Sequence, residues 1–226
     1  IREKSKRTFY TVTPIYYQHI CYGYCVSDGS LFALKSELSY LWTVNIGMAL
    51  ENIRKWQWIN RMNEKINRMW KYDMLTQVLN RSGFFYCAET ILQKIKEEKS
   101  NAFIIFLDID GLKSVNDNLG HEIGDAFIAK IAGILKEVVP KDCLIMRYGG
   151  DEFVVFGSCK QAGRMQRIAE DIKAAIKTAD QKENRSYHLA ASLGCSLHKS
   201  YEMDNLNSLI ELADKKMYEE KKNKRR

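Results

Sequence analysis

Four carboxylates stand where apolar segments end. In "AFIIFLDID", residues 102–110, Asp108 and Asp110 close an otherwise apolar run. The period of two along a strand puts both on one side and Ile109 on the other. In "MRYGGDEFVVF", residues 146–156, Asp151 and Glu152 are adjacent, with no base between them. Such neighbours repel unless solvent or a cation separates them, and burying them ionised is costly unless they are paired or metal-bound. Gly149 and Gly150 permit the positive φ angles of a two-residue hairpin turn, with Asp151 or Glu152 at its tip. If that hairpin neighbours the 102–110 strand, Asp108 and Asp151 converge. Hard oxygen ligands of this kind suit Mg²⁺, which retains water and substrate phosphates as its other ligands.

The elements that must position these acids alternate along the chain. Periodicity predicts helices over about 81–98, 122–138, 160–179 and 205–222, and strands over 102–110, 143–148, 152–157 and within "YHLAASLGCSL". On the 122–138 helix, Phe127, Ile131, Ile134, Leu135 and Val138 share one face. Strands mixed with helices and one tight hairpin imply an α+β fold, a sheet covered by helices. A long helix is predicted from about Ser36 to Lys71, interrupted only by Gly47. Ile59, Met62, Ile66 and Met69 follow the spacing of a coiled-coil seam, although an amphipathic helix packed on its own domain has the same spacing. "YYQHICYGYCVSDGS" reads as one or two strands before a turn at Ser27–Ser30. So short a strand-and-turn segment cannot build its own core, so residues 1–70 read as the tail of an upstream domain feeding a connecting helix.

Bulk composition narrows the function classes. With 226 residues, 46% of them hydrophobic and 11% aromatic, the chain supports a packed core. It opens at Ile1 rather than Met and reads as a fragment. "YLWTVNIGMAL" falls short of the roughly 20 apolar residues that span a bilayer, so no membrane segment is expected. The six cysteines form no metal-spaced cluster and read as buried free thiols in a reducing compartment, which implies a cytoplasmic location. The net charge of +7 comes largely from "KKNKRR" and from lysines on helical faces, with no basic run interleaved with stacking aromatics. A small phosphate-bearing ligand fits better than a nucleic acid polymer.

"RYGGDEF", together with "DMLTQVLNR" (73–81), "FLDIDGLKSVNDNLGHEIGD" (106–125), "ASLGCSL" (191–197) and "LADKKMYEEKK" (212–222), resembles the GGDEF domain family, the bacterial diguanylate cyclases. The resemblance covers residues 71–226. It implies a palm-like mixed sheet covered by helices, as in nucleotidyl cyclases, and condensation of two GTP into cyclic di-GMP with release of pyrophosphate, by a homodimer of half-sites. It also implies metal ligation by Asp108, Asp151 and the Ile109 carbonyl, with Mg²⁺ as cofactor and Mn²⁺ as the alternative ion. Asp151 is implied as first proton acceptor and Glu152 as second. Asn116 and Asp125 match the guanine-reading positions, and Lys113, Lys221 and Arg225 match positions that contact the triphosphate. His121 and Arg147 fit the motif as structural hydrogen-bonding residues. Taken alone, Asn116 reads as a cap or turn residue and Asp125 as a first-turn acid.

Three departures stand out. An Arg-x-x-Asp product-inhibition motif would fall on Pro140 and Cys143, so no feedback inhibition is expected through it. Leu112 replaces a usual Phe, and "KKNKRR" lacks the glycine usual before the arginine matched by Arg225. Within residues 1–70, "YGYCVSDGS" followed by "ELSYLWTVNIGMALENIRKW" resembles the last strand and closing helix of a GAF-like sensor domain. The alternative function is a catalytically silent GGDEF module that binds GTP or cyclic di-GMP; the intact acids favour the enzyme.

Overall fold

The computed structural model describes residues 10–28, 36–182, 188–199 and 206–224. The chain divides into two compact units, Ile1–Ile66 and Asn67–Arg226, and the division falls inside one long helix.

In the first unit, β1 (Tyr10–Tyr17) and β2 (Ile20–Asp28) form an antiparallel pair with a register shift between Ile15 and Tyr16. They turn at Gln18, whose φ is +53°. Of the turn expected at Ser27–Ser30, Ser27 and Asp28 still pair in β2, and the other two residues lie outside the described residues. Helix α1 spans Ser36–Lys71, as its periodicity predicts. Buried Glu51 of α1 accepts hydrogen bonds from Arg54, at 2.7 and 2.9 Å, and from Tyr22 of β2. Ile59, Met62, Ile66 and Met69 are all exposed, so the seam of α1 is not spent on packing within the chain.

In the second unit a four-stranded sheet has the order β4-β5-β3-β6, where β3 is Asn101–Ile109, β4 Leu144–Gly149, β5 Glu152–Cys159 and β6 Ala191–His198. Its three ladders are antiparallel, and one isolated parallel bridge ties Leu79, outside the named strands, to Met146 of β4. Alternation along β3 sends Phe103, Ile105 and Leu107 to one face and Ile104 and Phe106 to the other. The first face packs against α3 (Leu112–Leu119), α4 (His121–Val138) and α5 (Arg164–Lys182) through Val115, Phe127, Ile131 and Ile172. The second packs against α2 (Arg81–Glu97) and α6 (Leu206–Lys224) through Phe84, Ile95, Ile210 and Met217. Both faces of β3 are covered, which is why its sequence is apolar without alternation.

Helix α3 has no counterpart among the predicted elements. Its apolar residues Leu112, Val115 and Leu119 do fall at i, i+3 and i+7, but eight residues are fewer than the window of about 11 over which such a spacing decides. The thiols also differ from expectation: all six are free, but only Cys143 and Cys159 are buried, and Cys21 is exposed on β2.

Candidate active site

The acids gather where β3 ends. Asp108 pairs across the sheet with Glu152 of β5 and with Ser192 of β6. Asp151 holds the tip of the β4–β5 hairpin, and its carbonyl accepts a hydrogen bond from the Ile109 amide at 3.1 Å. The two turn residues are Gly150 and Asp151, one position later than expected, since Gly149 still pairs with Glu152 at the end of β4. Only Gly150 takes a positive φ, +30°. The Arg147 guanidinium clamps the turn by donating twice to the Gly150 carbonyl, at 3.0 and 2.8 Å. Asp110, just past the strand, accepts from Ser192 Oγ at 2.8 Å.

Helix α6 brings the counter-charge. A Cβ on Gly194 would lie 2.1 Å from the Ala213 carbonyl, so β6 admits α6 this closely only because position 194 is glycine. From that helix Lys221 Nζ reaches Asp108 Oδ1 at 2.5 Å, with both side chains largely buried. Burial pushes the Asp108 carboxyl above its ordinary pKa; the Lys221 hydrogen bond and charge pull it down, and Asp151 and Asp110 push it up again. Glu152 is also raised, first by burial and then by repulsion from Asp108, Asp151 and Asp214, against a weaker pull from Lys221. One ammonium thus faces a surplus of carboxylates. Hard oxygen donors in excess of local positive charge are a donor set that fits a divalent cation. Among the described residues no three His, Cys, Asp or Glu side chains form a ready-made cage, and an ion held by two carboxylates completes its shell from backbone, water or substrate.

A second grouping lies on α3 and α4. Gly111, with φ +76°, turns the chain from β3 into α3, and Gly120, with φ +91°, turns it into α4. Asn116 packs against α4 at Gly124, the residue before exposed Asp125. Lys113 is exposed in the first turn of α3. Arg225 lies outside the described residues. A cleft of about 610 Å³ beside Asp110, lined by Ser114, Asn118 and His188, includes none of Asp108, Asn116, Asp125 or Asp151.

The profile of the family described as "Diguanylate cyclase, GGDEF domain" matches residues 70–226. The chain belongs to the GGDEF diguanylate cyclase family. It is 29% identical over 199 residues to diguanylate cyclase A of Treponema denticola, covering 86% of this chain and 53% of that one. To diguanylate cyclase VdcA of Vibrio cholerae it is 32% identical over 168 residues, 72% of this chain and 48% of the other. The chain therefore spans about half the length of the curated relatives it matches. Its fold is similar to the crystal structure of the coiled coil and GGDEF domain of DgcB from Caulobacter crescentus in complex with c-di-GMP, with a TM-score of 0.69 and 23% identity over 78% of this chain and 94% of that one.

Within this GGDEF domain, three contributors lie outside the set read from sequence. Asp73, in the connection after α1, accepts from the Thr76 amide and hydroxyl at 2.9 and 2.6 Å and from Arg147 Nη1 at 3.2 Å. Burial opposes its ionisation, but the Thr76 hydrogen bonds and the Arg147 charge hold its carboxyl below the ordinary value. Arg147 thereby ties this connection to the Gly150 turn. Asp214 adds negative charge near Glu152, and Ser192 holds Asp110. Asp73 and Asp214 both sit in segments that carry the family resemblance, but their partners are distant in sequence. At the inhibition-motif positions, Cys143 is buried and its thiol is pushed up to about 11, chiefly by burial, so it is neutral near pH 7. The nearby Arg164 is engaged by Asp142 at 2.7 Å and by the Ser158 carbonyl at 2.8 Å. Among the described residues, no helix is long and apolar enough to cross a membrane.

Proposed function

We propose that this chain is the catalytic part of an active diguanylate cyclase, which joins two GTP into cyclic di-GMP and releases pyrophosphate. The observation that carries the reading is the convergence of Asp108, Asp151 and Glu152 at one end of β3, where burial first and neighbouring carboxylates second raise the pKa of Asp108 and of Glu152. Asp108, Asp151 and the Ile109 carbonyl would hold Mg²⁺, or Mn²⁺ in its place. A divalent ion held there would lower the pKa of a ribose 3′-hydroxyl and offset charge on the phosphates.

The chain's own groups do the rest. Asp151 accepts the proton of the attacking hydroxyl, with Glu152 as second acceptor. Asn116 and Asp125 read the base: a carboxylate accepts from guanine N1–H and the exocyclic amine, a donor pair that adenine lacks. Lys113, Lys221 and Arg225 are the residues assigned to the triphosphate, Lys221 exchanging its contact with Asp108 for phosphate oxygens as nucleotide enters. Each nucleotide attacks the other, so two domains must face each other, and the exposed seam Ile59, Met62, Ile66 and Met69 on α1 supports a homodimer joined through that helix. In the same reading, residues 1–70 are the end of an upstream GAF-like sensor whose signal reaches the cyclase through α1, and the protein acts in the cytoplasm.

The test is direct. Incubated with GTP and Mg²⁺, the protein forms cyclic di-GMP and pyrophosphate, and Asp151→Asn does not. Undiminished product from the Asp151→Asn variant contradicts the assignment.

A further inference from the structure

Helix α4 carries two glycines, Gly124 and Gly133, and neither has a positive φ. Backbone conformation requires glycine at neither position, and helix propensity favours alanine at both. Space separates them. A Cβ on Gly133 meets nothing within 4 Å, whereas one on Gly124 would lie 1.8 Å from Asn116 Oδ1 and 2.9 Å from Asn116 Cγ. The room left by the absent Cβ is where the Asn116 amide sits. Asn116 Oδ1 is buried and has no hydrogen-bond partner among the described residues. No donor pins that oxygen, so its orientation is set by packing against the backbone of α4.

We propose that Gly124 is a positioning residue for base recognition. It lets Asn116 of α3 settle into the first turns of α4, so that its amide is presented together with the carboxylate of the next residue, Asp125. The inference rests on the reading of Asn116 and Asp125 as guanine contacts and adds a determinant that touches no ligand. An alanine here collides with the far end of a rotatable side chain rather than with backbone. The fold therefore yields by turning the amide away: folding survives and the orientation is lost. Gly133, on the same helix with open space around it, is the internal control.

Affinities of the non-cyclisable α,β-methylene analogues of GTP and ATP, measured by calorimetry with Mg²⁺, test the proposal. Gly124→Ala is expected to weaken the GTP analogue about tenfold, the scale of one lost hydrogen bond, and to leave the ATP analogue unchanged. Discrimination then falls by the same factor, whereas a purely structural defect weakens both nucleotides alike. Gly133→Ala is expected to bind both as the parent does. In an Asn116→Ala background, Gly124→Ala is expected to add nothing, because the side chain through which it acts is gone. Parental binding by Gly124→Ala, or an equal further loss in the Asn116→Ala background, overturns the proposal while leaving the base reading intact. Parental binding by Asn116→Ala alone overturns the base reading itself and the proposal with it. If Gly124→Ala does not fold, recovery of folding in the double variant supports the seat, and failure to recover overturns it.

Discussion

The two units use their apolar residues in opposite ways. Among the described residues, every buried hydrophobic side chain lies at Val78 or later, in two clusters on either face of the four-stranded sheet. In the first unit the large side chains face outward: Trp42 is 70% exposed, Trp56 64% and Trp58 62%, and the buried polar residues are Thr43 and Glu51. A two-stranded sheet beside a helix has too little interior to bury them. The sheet domain therefore has an interior of its own, sufficient to hold acids together against their repulsion, while the first unit presents a surface of the kind that partners cover.

Core substitutions break this contrast most severely. Phe103→Ala, at a fully buried position of β3, is expected to cost about 3–5 kcal/mol in denaturant unfolding. Trp56→Ala is expected to change the unfolding of the sheet domain by less than about 0.5 kcal/mol and to act instead on association, seen by sedimentation. Equal destabilisation by the two would erase the distinction.

A smaller effect comes from the acids. Glu152 has its pKa raised in the folded state, so the native protein binds protons more tightly there than the unfolded chain does, and its ionised form works against folding. Glu152→Gln is therefore expected to raise the thermal midpoint at pH 7 while impairing turnover. The gap should close as pH falls through the folded-state pKa of Glu152, because the parent carboxyl becomes neutral there. A variant less stable than the parent at pH 7 would contradict the cost of holding this buried, crowded carboxyl ionised. At the opposite end of the same domain, Pro140 and the neutral thiol of Cys143 supply neither charge of the family's inhibition motif. Calorimetry with cyclic di-GMP is expected to show no tight binding that depends on residues 140–143.

The smallest expected effect lies in the first unit. Glu51 is held at about 2, below its ordinary 4.5, by hydrogen bonds from Arg54 and then Tyr22. Its folded pKa is depressed, so its contribution is complete above about 4.5 and is lost as pH falls toward about 2. Tyr22→Phe is expected to speed amide exchange in β2 at pH 7, with the difference from the parent disappearing near pH 2. A difference that persists there would mean that Tyr22 acts through packing alone.

The elements legible in the sequence are those whose burial imposes a period. Helices α1, α2, α4 and α6 and strands β3, β4 and β5 begin and end within a few residues of where apolar spacing puts them. Helix α3 is less legible because its helical spacing rests on only Leu112, Val115 and Leu119 within eight residues, and so Asn116 reads as a turn residue until α3 is seen to lean on α4. The hairpin was legible to within one residue: a glycine pair marks a turn but does not say which glycine still belongs to the ladder, and here Gly149 does. The pairing of Asp108 with Glu152 was open in the sequence, because strand order is a tertiary property. So were the ties of Asp73 to Arg147 and of Asp108 to Lys221, residues 74 and 113 positions apart. The cysteines show a related limit: Cys21 and Cys25 lie on β2, in the unit without an apolar interior, and Cys87 and Cys195 are only half-buried within the sheet domain, because residue type alone does not say how deep a thiol sits.

In the proposed reaction, acids from β3 and from the β4–β5 turn form one divalent-ion site beside a bound triphosphate. Electron paramagnetic resonance of Mn²⁺ titrated into the protein with the α,β-methylene GTP analogue tests it most directly. A bound-ion signal is expected that is lost in Asp108→Asn and in Asp151→Asn and kept in Gly133→Ala. Undiminished Mn²⁺ binding in both aspartate variants would contradict it.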